Sequence, residues 1–266
     1  MPRVATHETT YLTPPVFDSV GEEREDRKMR LVAALRVFAR YGFNEGIAGH
    51  ITVRDPEFPD TFWVNSFGTH FALICVEDLI RVDSTGEIVE GAGLVNSAAF
   101  VIHSAIHEAR PDVIAAAHAH AVYGKTWSSY GELLQPLTLD ACAFYEDHAI
   151  CDQFNGNVVN PEDGKDVAAA LGSTKAVIMQ NHGNVTVGAS VDEAAHWFIH
   201  MDNACHAQLL ARSCRGEPRL VPAETARRTR NQVGNAQEGF TQFQPLLEWI
   251  KATDRPLYRT ATEVTA

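Results

Sequence analysis

The chain has 266 residues, of which 45% are hydrophobic and 21% charged, a balance typical of a folded globular protein with a sizeable core. Its net charge of −12 argues against a nucleic-acid or anionic membrane partner, because phosphate groups attract clustered Lys and Arg. No apolar run is long enough for a membrane span, no secretory pattern precedes the acidic segment near residue 22, and the five cysteines form no CxxC pair. We therefore expect a reduced, cytoplasmic protein.

The first third of the chain changes from helical to strand periodicity. Residues 1–24 are polar and are predicted to form an extended arm. The segment 26–41 carries a one-sided apolar stripe and predicts a helix that stops at Gly42. Between residues 46 and 89, short β-branched runs alternate with Asp, Pro, Gly and Ser, a pattern that predicts an antiparallel meander.

The remaining segments alternate between predicted helices and predicted strands. Helices are predicted over 97–109, from about 121, at 161–171, 190–213, 223–230 and 245–252; strands are predicted at 113–117, within 137–148, at 176–179 and at 184–187. No repeat or linker divides the chain. The prediction is an α/β fold with an N-terminal arm (1–24), one main domain (25–215) and a C-terminal helical extension (216–266) packed on that domain.

The tripeptide His118-Ala119-His120 follows a fully apolar predicted strand. On a strand, residues i and i+2 point to one face, so both imidazoles can reach the same metal ion. The alternative is a pair of hydrogen-bonded or solvent-facing histidines. His182 lies in a predicted strand-to-strand turn beside Gly183, a position that by itself is typical of a surface histidine.

Five segments, in order, resemble the class II aldolase/adducin family, which includes fuculose-phosphate aldolase and ribulose-phosphate 4-epimerase. They are Gly46-Ile-Ala-Gly-His-Ile-Thr-Val-Arg, Asn65-Ser-Phe-Gly, the helix from Ser97, His118-Ala-His-Ala and Gln180-Asn-His-Gly. The resemblance covers residues 26–211. It implies a three-layer α/β/α sandwich around a mainly antiparallel central sheet, usually assembled as a C4 homotetramer.

The resemblance also implies that His118, His120 and His182 bind a divalent metal. Three neutral imidazoles leave coordination positions for substrate or water, as in catalytic sites. Such a metal acts as a Lewis acid toward a substrate carbonyl. The ligand set suits Zn²⁺ or Fe²⁺, and Mn²⁺ as well, so it does not fix the metal.

The chain departs from the family at the positions that serve aldol chemistry on sugar phosphates. The family's catalytic glutamate, four residues before a helical histidine, corresponds to Ala99 before His103. Of two phosphate-binding serines, Ser97 remains and Ala98 follows it. Gly-Asn becomes Gly49-His50, and a threonine before Gly68 becomes Phe67. A phosphorylated sugar is therefore disfavoured.

If the resemblance holds, a set of aromatic and imidazole side chains replaces these groups. Ser97 caps its helix, binds an anion such as a carboxylate at the helix N-terminus, or does both. The candidate substrate-binding residues are His50, Phe67, Gly68, Ser97, Phe100 and His70.

The segment 144–148 is expected near the substrate. Glu146 is the candidate acid or base, or a further metal ligand; Tyr145 is a candidate proton donor, and His148 can orient a carboxylate. The alternatives are a core or interface aromatic for Tyr145 and a solvated loop acid for Glu146. His103 and His107, spaced i and i+4, are expected to pack or to lie on the surface.

These features favour a metal-dependent lyase, of decarboxylase or aldolase type, that cleaves a carbon–carbon bond next to a carbonyl or carboxylate. The small-molecule substrate would be non-phosphorylated and possibly aromatic. One alternative is a non-haem Fe(II) oxygenase that decarboxylates an aromatic 2-oxo acid, such as the prenylated hydroxyphenylpyruvate of aminocoumarin secondary metabolism. Another is an adducin-like scaffold without catalysis, although such members generally lack the metal histidines.

Overall fold

The computed structural model describes residues 11–158 and 160–259. The first ten residues of the predicted arm, and the last seven of the predicted extension, lie outside the described residues. The first helix begins at Val20, earlier than predicted, because the Ser19 hydroxyl accepts a hydrogen bond from the Glu22 N–H and caps it.

Eight helices and eight strands are assigned within the described residues. The helices are α1 (Val20–Arg40), α2 (Ser97–Ala109), α3 (Val122–Ser128), α4 (Leu139–Cys142), α5 (Pro161–Leu171), α6 (Val191–Ser213), α7 (Ala223–Val233) and α8 (Ala236–Thr253). The strands are β1 (His50–Arg54), β2 (Phe62–Asn65), β3 (Leu79–Val82), β4 (Ile88–Glu90), β5 (Ala115–Ala119), β6 (Ala149–Cys151), β7 (Ala176–Met179) and β8 (Gly183–Gly188).

The strands form one sheet in the order β4-β3-β2-β1-β5-β8-β7-β6. Neighbours are antiparallel except β6 and β7, which run parallel. The predicted meander and the pairing of β7 with β8 are confirmed. The mainly antiparallel α/β architecture expected from the sequence is confirmed as well.

Helices cover both faces of the sheet. On one face α1, α6 and α8 pack against alternate residues of β5, among them Ala115 and Ala117. On the other face α2 and α5 pack against Ala116, Val185 and Val187. The alanines of β5 are buried on both faces of the sheet. The central position of this strand therefore explains why its sequence is apolar at every position before His118. None of the described helices combines the length and apolarity needed to cross a bilayer.

The predicted strand within 137–148 is wrong. Thr138 caps the short helix α4 through a 3.2 Å hydrogen bond from the Ala141 N–H, and a turn follows. The strand β6 starts only at Ala149. This shift moves residues 144–148 to the beginning of β6, whereas a strand over 137–148 would have carried them toward its end.

Candidate metal centre

The end of β5 and the β7–β8 turn bring three histidines together. In the antiparallel pair, Ala119 lies opposite Asn184, so His120 and His182 meet at the same end of the sheet. The ring centroids are 5.3 Å apart for His118 and His120, 5.0 Å for His118 and His182, and 5.1 Å for His120 and His182. One ring nitrogen from each histidine lies within 4.8 Å of the others.

The donor set fits a divalent metal. His118 Nδ1 lies 2.9 Å from the Asn184 carbonyl oxygen. Because a carbonyl only accepts, Nδ1 carries the proton and the lone pair of Nε2 is free for a metal. His120 Nε2 and His182 Nε2 lie 3.2 Å apart, so their lone pairs converge on one region. Three neutral nitrogen donors are a ligand set that Zn²⁺, Fe²⁺ and Mn²⁺ all accept.

Burial keeps these imidazoles in the neutral form that binds metal. It lowers the pKa of His118 well below its usual value and lowers the pKa of His182 to about 4. Burial also lowers the pKa of His120, which is the most exposed of the three. At neutral pH the cluster therefore carries lone pairs and no positive charge.

An ion pair that the sequence analysis missed lies beside His120. Glu45 Oε2 is 2.7 Å from Lys125 Nζ and 3.9 Å from His120 Nδ1. Lys125 lowers the pKa of the Glu45 carboxyl group, which is thus ionised. The two residues are distant in sequence and neither belongs to a recognisable motif.

The histidines open into a cleft of about 570 Å³. Three predicted substrate-binding residues, His50, Phe67 and Ser97, line it together with all three histidines. Apolar side chains add to its wall: Ile47, Leu94, Val95 and Ile102. Gly68 is exposed next to Phe67, with a φ of 89°.

Two other predicted substrate-binding residues lie elsewhere. Phe100 stacks on Phe62 at a centroid distance of 6.3 Å, against the outer strands of the sheet. His70 caps the helical turn Phe71–Leu73, since its Nδ1 accepts a 3.1 Å hydrogen bond from the Ala72 N–H. Both residues were expected in the pocket because other residues of their segments line it. Their own side chains instead make local contacts: Phe100 packs against Phe62, and His70 caps a helical turn.

His50 is the most unusual residue of the cleft wall. Its side chain is only 3% exposed, yet neither ring nitrogen has a hydrogen-bond partner among the described residues. The ring lies 4.1 Å from that of His103 and 5.3 Å from that of His118, centroid to centroid. A buried, unpaired imidazole is costly in free energy, so His50 is a candidate for contact with a ligand bound in the cleft.

The structure separates the candidate catalytic residues Tyr145, Glu146 and His148 from the metal histidines. In the parallel pair, Cys151 lies opposite Met179, near the His182 turn, whereas Ala149 lies opposite Val177, farther from it. These three residues precede Ala149 and therefore lie toward the opposite end of the sheet.

Each of these residues also has local partners. Glu146 forms a bidentate, exposed ion pair with Arg227 at 2.7 and 2.8 Å, and the Tyr145 carbonyl accepts a hydrogen bond from Arg230. His148 Nδ1 donates to the Phe144 carbonyl at 2.6 Å, and its Nε2 accepts from the Leu134 N–H at 2.8 Å. Both nitrogens of His148 are thus satisfied within the fold.

The loop after β6, and not the segment before it, reaches the histidines. Phe154, Gly156 and Asn157 form a side cavity of about 370 Å³ with His120 and His182, and Lys125 and Asn181 complete its lining. Asn157 also lines the larger cleft. The sequence signal that could have identified this loop is Phe154-Asn-Gly-Asn, a turn-forming segment that follows the end of a strand.

Comparisons with known proteins found relatives over most of the chain. A family model described as the class II aldolase and adducin N-terminal domain matches residues 29–209. Over 92% of its length the chain is 49% identical to "Decarboxylase NovR" of Streptomyces niveus, covering 91% of that protein. It is also 49% identical, over 88% of its length, to "4-hydroxy-3-prenylphenylpyruvate oxygenase/4-hydroxy-3-prenylbenzoate synthase" of Streptomyces roseochromogenus subsp. oscitans, covering 85% of that protein.

A solved structure shares the fold closely. The protein named "L-fuculose 1-phosphate aldolase" from Glaciozyma antarctica PI12 superposes with a TM-score of 0.86 at 42% identity. The match covers 93% of this chain and 97% of that one.

Proposed function

Since the chain belongs to the class II aldolase and adducin family, we propose that it is a metal-dependent lyase that cleaves a carbon–carbon bond next to a carbonyl or carboxylate. The observation that carries this proposal is the convergence of three neutral imidazoles at the mouth of a cleft. His118, His120 and His182 would hold the ion. A bound divalent ion supplies Lewis-acid stabilisation for negative charge that develops on a substrate oxygen.

We assign the substrate to non-phosphorylated acids with an aromatic or other apolar body. Phe67, Leu94 and Val95 line the same cleft as the histidines and suit an apolar group. His50 and Phe67 stand at positions where the sequence resemblance places phosphate-binding Asn and Thr. This difference argues against a sugar-phosphate substrate, although several solved relatives carry the name of a sugar-phosphate aldolase, one of them 42% identical to this chain.

The chain's own residues would position this substrate. His50, buried and unpaired, offers a ring nitrogen to a substrate oxygen, and Phe67 packs against the apolar body. Ser97, at the N-terminus of α2, is available to a further oxygen of the substrate. His50 and Ile102 are both nearly fully buried, so water has little access to the part of the cleft that they line.

The second candidate function is a non-haem Fe(II) oxygenase that converts an aromatic 2-oxo acid. It is favoured by the relative named as a 4-hydroxy-3-prenylphenylpyruvate oxygenase. The three-histidine set is compatible with both functions, because it accepts iron as well as zinc. The scaffold alternative would need no metal at all.

Metal analysis separates these functions. The protein is purified without added metal or chelator, once in air and once anaerobically, and its metal content is measured. Near-stoichiometric zinc in both preparations, with CO₂ or aldehyde release from an acid substrate in the absence of O₂, supports the lyase. Iron retained only without oxygen, with O₂ consumed alongside 4-hydroxy-3-prenylphenylpyruvate, supports the oxygenase. A protein that binds no metal and shows no activity would support the non-catalytic scaffold alternative.

Substitution of the ligands tests the site itself. His118→Ala and His182→Ala are each expected to abolish bound metal and turnover together. Full activity in a metal-free His118→Ala variant would overturn the proposed mechanism.

We also propose a cytoplasmic C4 homotetramer, in line with the family resemblance. Light scattering after size exclusion should give four times the chain mass of 29.2 kDa. A monomer at micromolar concentration would contradict this assembly.

A further inference from the structure

The side cavity next to His120 and His182 has a chemistry different from that of the larger cleft. We call it the lysine pocket and define it by Lys125, Phe154, Asn157 and Asn181, together with the two histidines. It combines one cationic side chain, two amides and one aromatic ring. The larger cleft, which shares both histidines, has no cationic lysine or arginine among the described residues that line it and is richer in apolar side chains such as Phe67, Leu94 and Val95.

Lys125 is held in this position by the fold. The helix α3 starts at Val122, directly after the metal-binding tripeptide, and the Lys125 N–H donates to the Ala121 carbonyl at 3.0 Å within its first turn. A Cβ placed on Gly183 would lie 4.0 Å from the Lys125 Cβ, so the lysine stem runs alongside the turn that carries His182. The ammonium group lies near His120, because the Glu45 Oε2 that it contacts at 2.7 Å is also 3.9 Å from His120 Nδ1.

The charge of Lys125 is available to a ligand. Its partner Glu45 is 57% exposed and the lysine side chain is 34% exposed, so this pair is solvated and contributes little to stability. Imidazole ligands carry no negative charge, so a divalent ion bound by the three histidines would add positive charge that they do not compensate. A carboxylate that enters the pocket can therefore replace Glu45 as the partner of Lys125.

Asn157 connects the two compartments, since it lines both of them. A substrate that spans the histidines would place one end in each compartment. We propose that Lys125 and Asn157 bind the carboxylate of the substrate in the lysine pocket, while its apolar body lies against Phe67 and Leu94 in the cleft. This inference rests on the proposed function, because it assumes an acid substrate at the histidines and assigns its carboxylate to the lysine pocket and its apolar body to the cleft.

The test compares an acid with its neutral ester. The zinc-loaded full-length chain is titrated calorimetrically with phenylpyruvate and with methyl phenylpyruvate. Lys125→Met is expected to raise the Kd of the acid at least tenfold and to leave that of the ester unchanged. Lys125→Arg keeps the charge and should stay within about threefold of the unchanged chain, and Glu45→Gln, which frees the lysine, should tighten binding of the acid.

A matched control is available on α5. Lys165 is an exposed lysine paired with Glu162 at 2.7 Å, away from the histidines, so Lys165→Met removes the same kind of ion pair. It should leave both Kd values unchanged. Zinc content and Tm are measured for each variant, and Lys125→Met should match the unchanged chain in both.

Two results would overturn the inference. One is an unaltered Kd for the acid in Lys125→Met; the other is equal binding of acid and ester by the unchanged chain. Failure of the proposed function is a separate result: the acid binds through Lys125 but is not cleaved with any metal, with or without O₂.

Discussion

Thr52 links two buried histidines behind the cluster of His118, His120 and His182. Its hydroxyl oxygen lies 2.7 Å from His103 Nδ1 and 2.9 Å from His107 Nε2. A hydroxyl donates one hydrogen bond while accepting another, so it can satisfy both rings. The sequence indicated packing or surface roles for these histidines; the structure shows that they are buried polar groups of the core.

Replacement of Thr52 by Val should therefore destabilise the protein. Two buried ring nitrogens would lose their partner, which costs about 1–3 kcal/mol in the free energy of unfolding. Urea unfolding at pH 7.5 measures this loss, and Thr52→Ser, which keeps the hydroxyl, should recover most of it. Unchanged stability in Thr52→Val would mean that water replaces the hydroxyl.

The sequence made Glu146 the candidate acid or base, but its position in the structure predicts only a small effect of its substitution on turnover. The carboxylate is exposed and paired with Arg227, toward the opposite end of the sheet from the metal histidines. Glu146→Gln should keep the bound metal and lower turnover by less than about threefold, as surface substitutions away from special features do little. A larger loss of turnover with the metal retained, relative to Arg227→Gln, would restore the catalytic role.

At the scale of elements, strand periodicity predicted that His118 and His120 lie on one face, and it did so where a strand exists. His118 and His120 share a face because β5 is a strand up to Ala119. The same argument misplaced residues 144–148, since α4 and a turn replace the predicted strand. Short apolar segments are compatible with both structures, and here the Thr138 cap decided in favour of the helix.

Helix α8 belongs to the main core although it comes late in the chain. Phe243, Leu247 and Ile250 are buried in the same cluster as residues of α1 and α6. Leu247→Ala should cost about 2–5 kcal/mol, because it leaves a cavity in a packed region. Urea unfolding provides the measurement, and the exposed neighbour Glu248→Ala is the control that should change little. A loss below about 0.5 kcal/mol would instead indicate an extension that docks only weakly.

At the scale of the whole molecule, the sequence predicted the fold class better than the order of the strands. Local periodicity identifies a meander and a hairpin. It carries no information on the pairing of β1 with β5, because three strands and α2 separate them in the sequence. That pairing places His50 opposite His118 and so creates the cleft wall. Glu45 and Lys125 likewise meet only in the folded chain. Such contacts between distant segments depend on the global packing.

The large number of histidines with lowered pKa gives the whole molecule a defined acid sensitivity. Burial lowers the pKa of His107 and of His196 to about 3 each, and Arg54 beside His107 and Lys175 near His196 act in the same direction. In the unfolded chain these histidines take up a proton near pH 6.5. Between pH 6.5 and about 3 the unfolded state thus binds more protons, so stability falls as the pH falls.

Metal-free protein should therefore lose stability steeply between pH 7.5 and 5. Well below pH 6.5, each such histidine contributes about 1.4 kcal/mol per pH unit. Buried carboxyl groups with raised pKa, those of Asp192, Glu193 and Asp202, act in the opposite direction but are fewer. Urea unfolding at pH 7.5, 6.0 and 5.0 measures the slope, and His196→Phe should reduce it by removing one titrating group. Equal stability at pH 7.5 and 5.0 would show that the buried histidines keep their ordinary pKa.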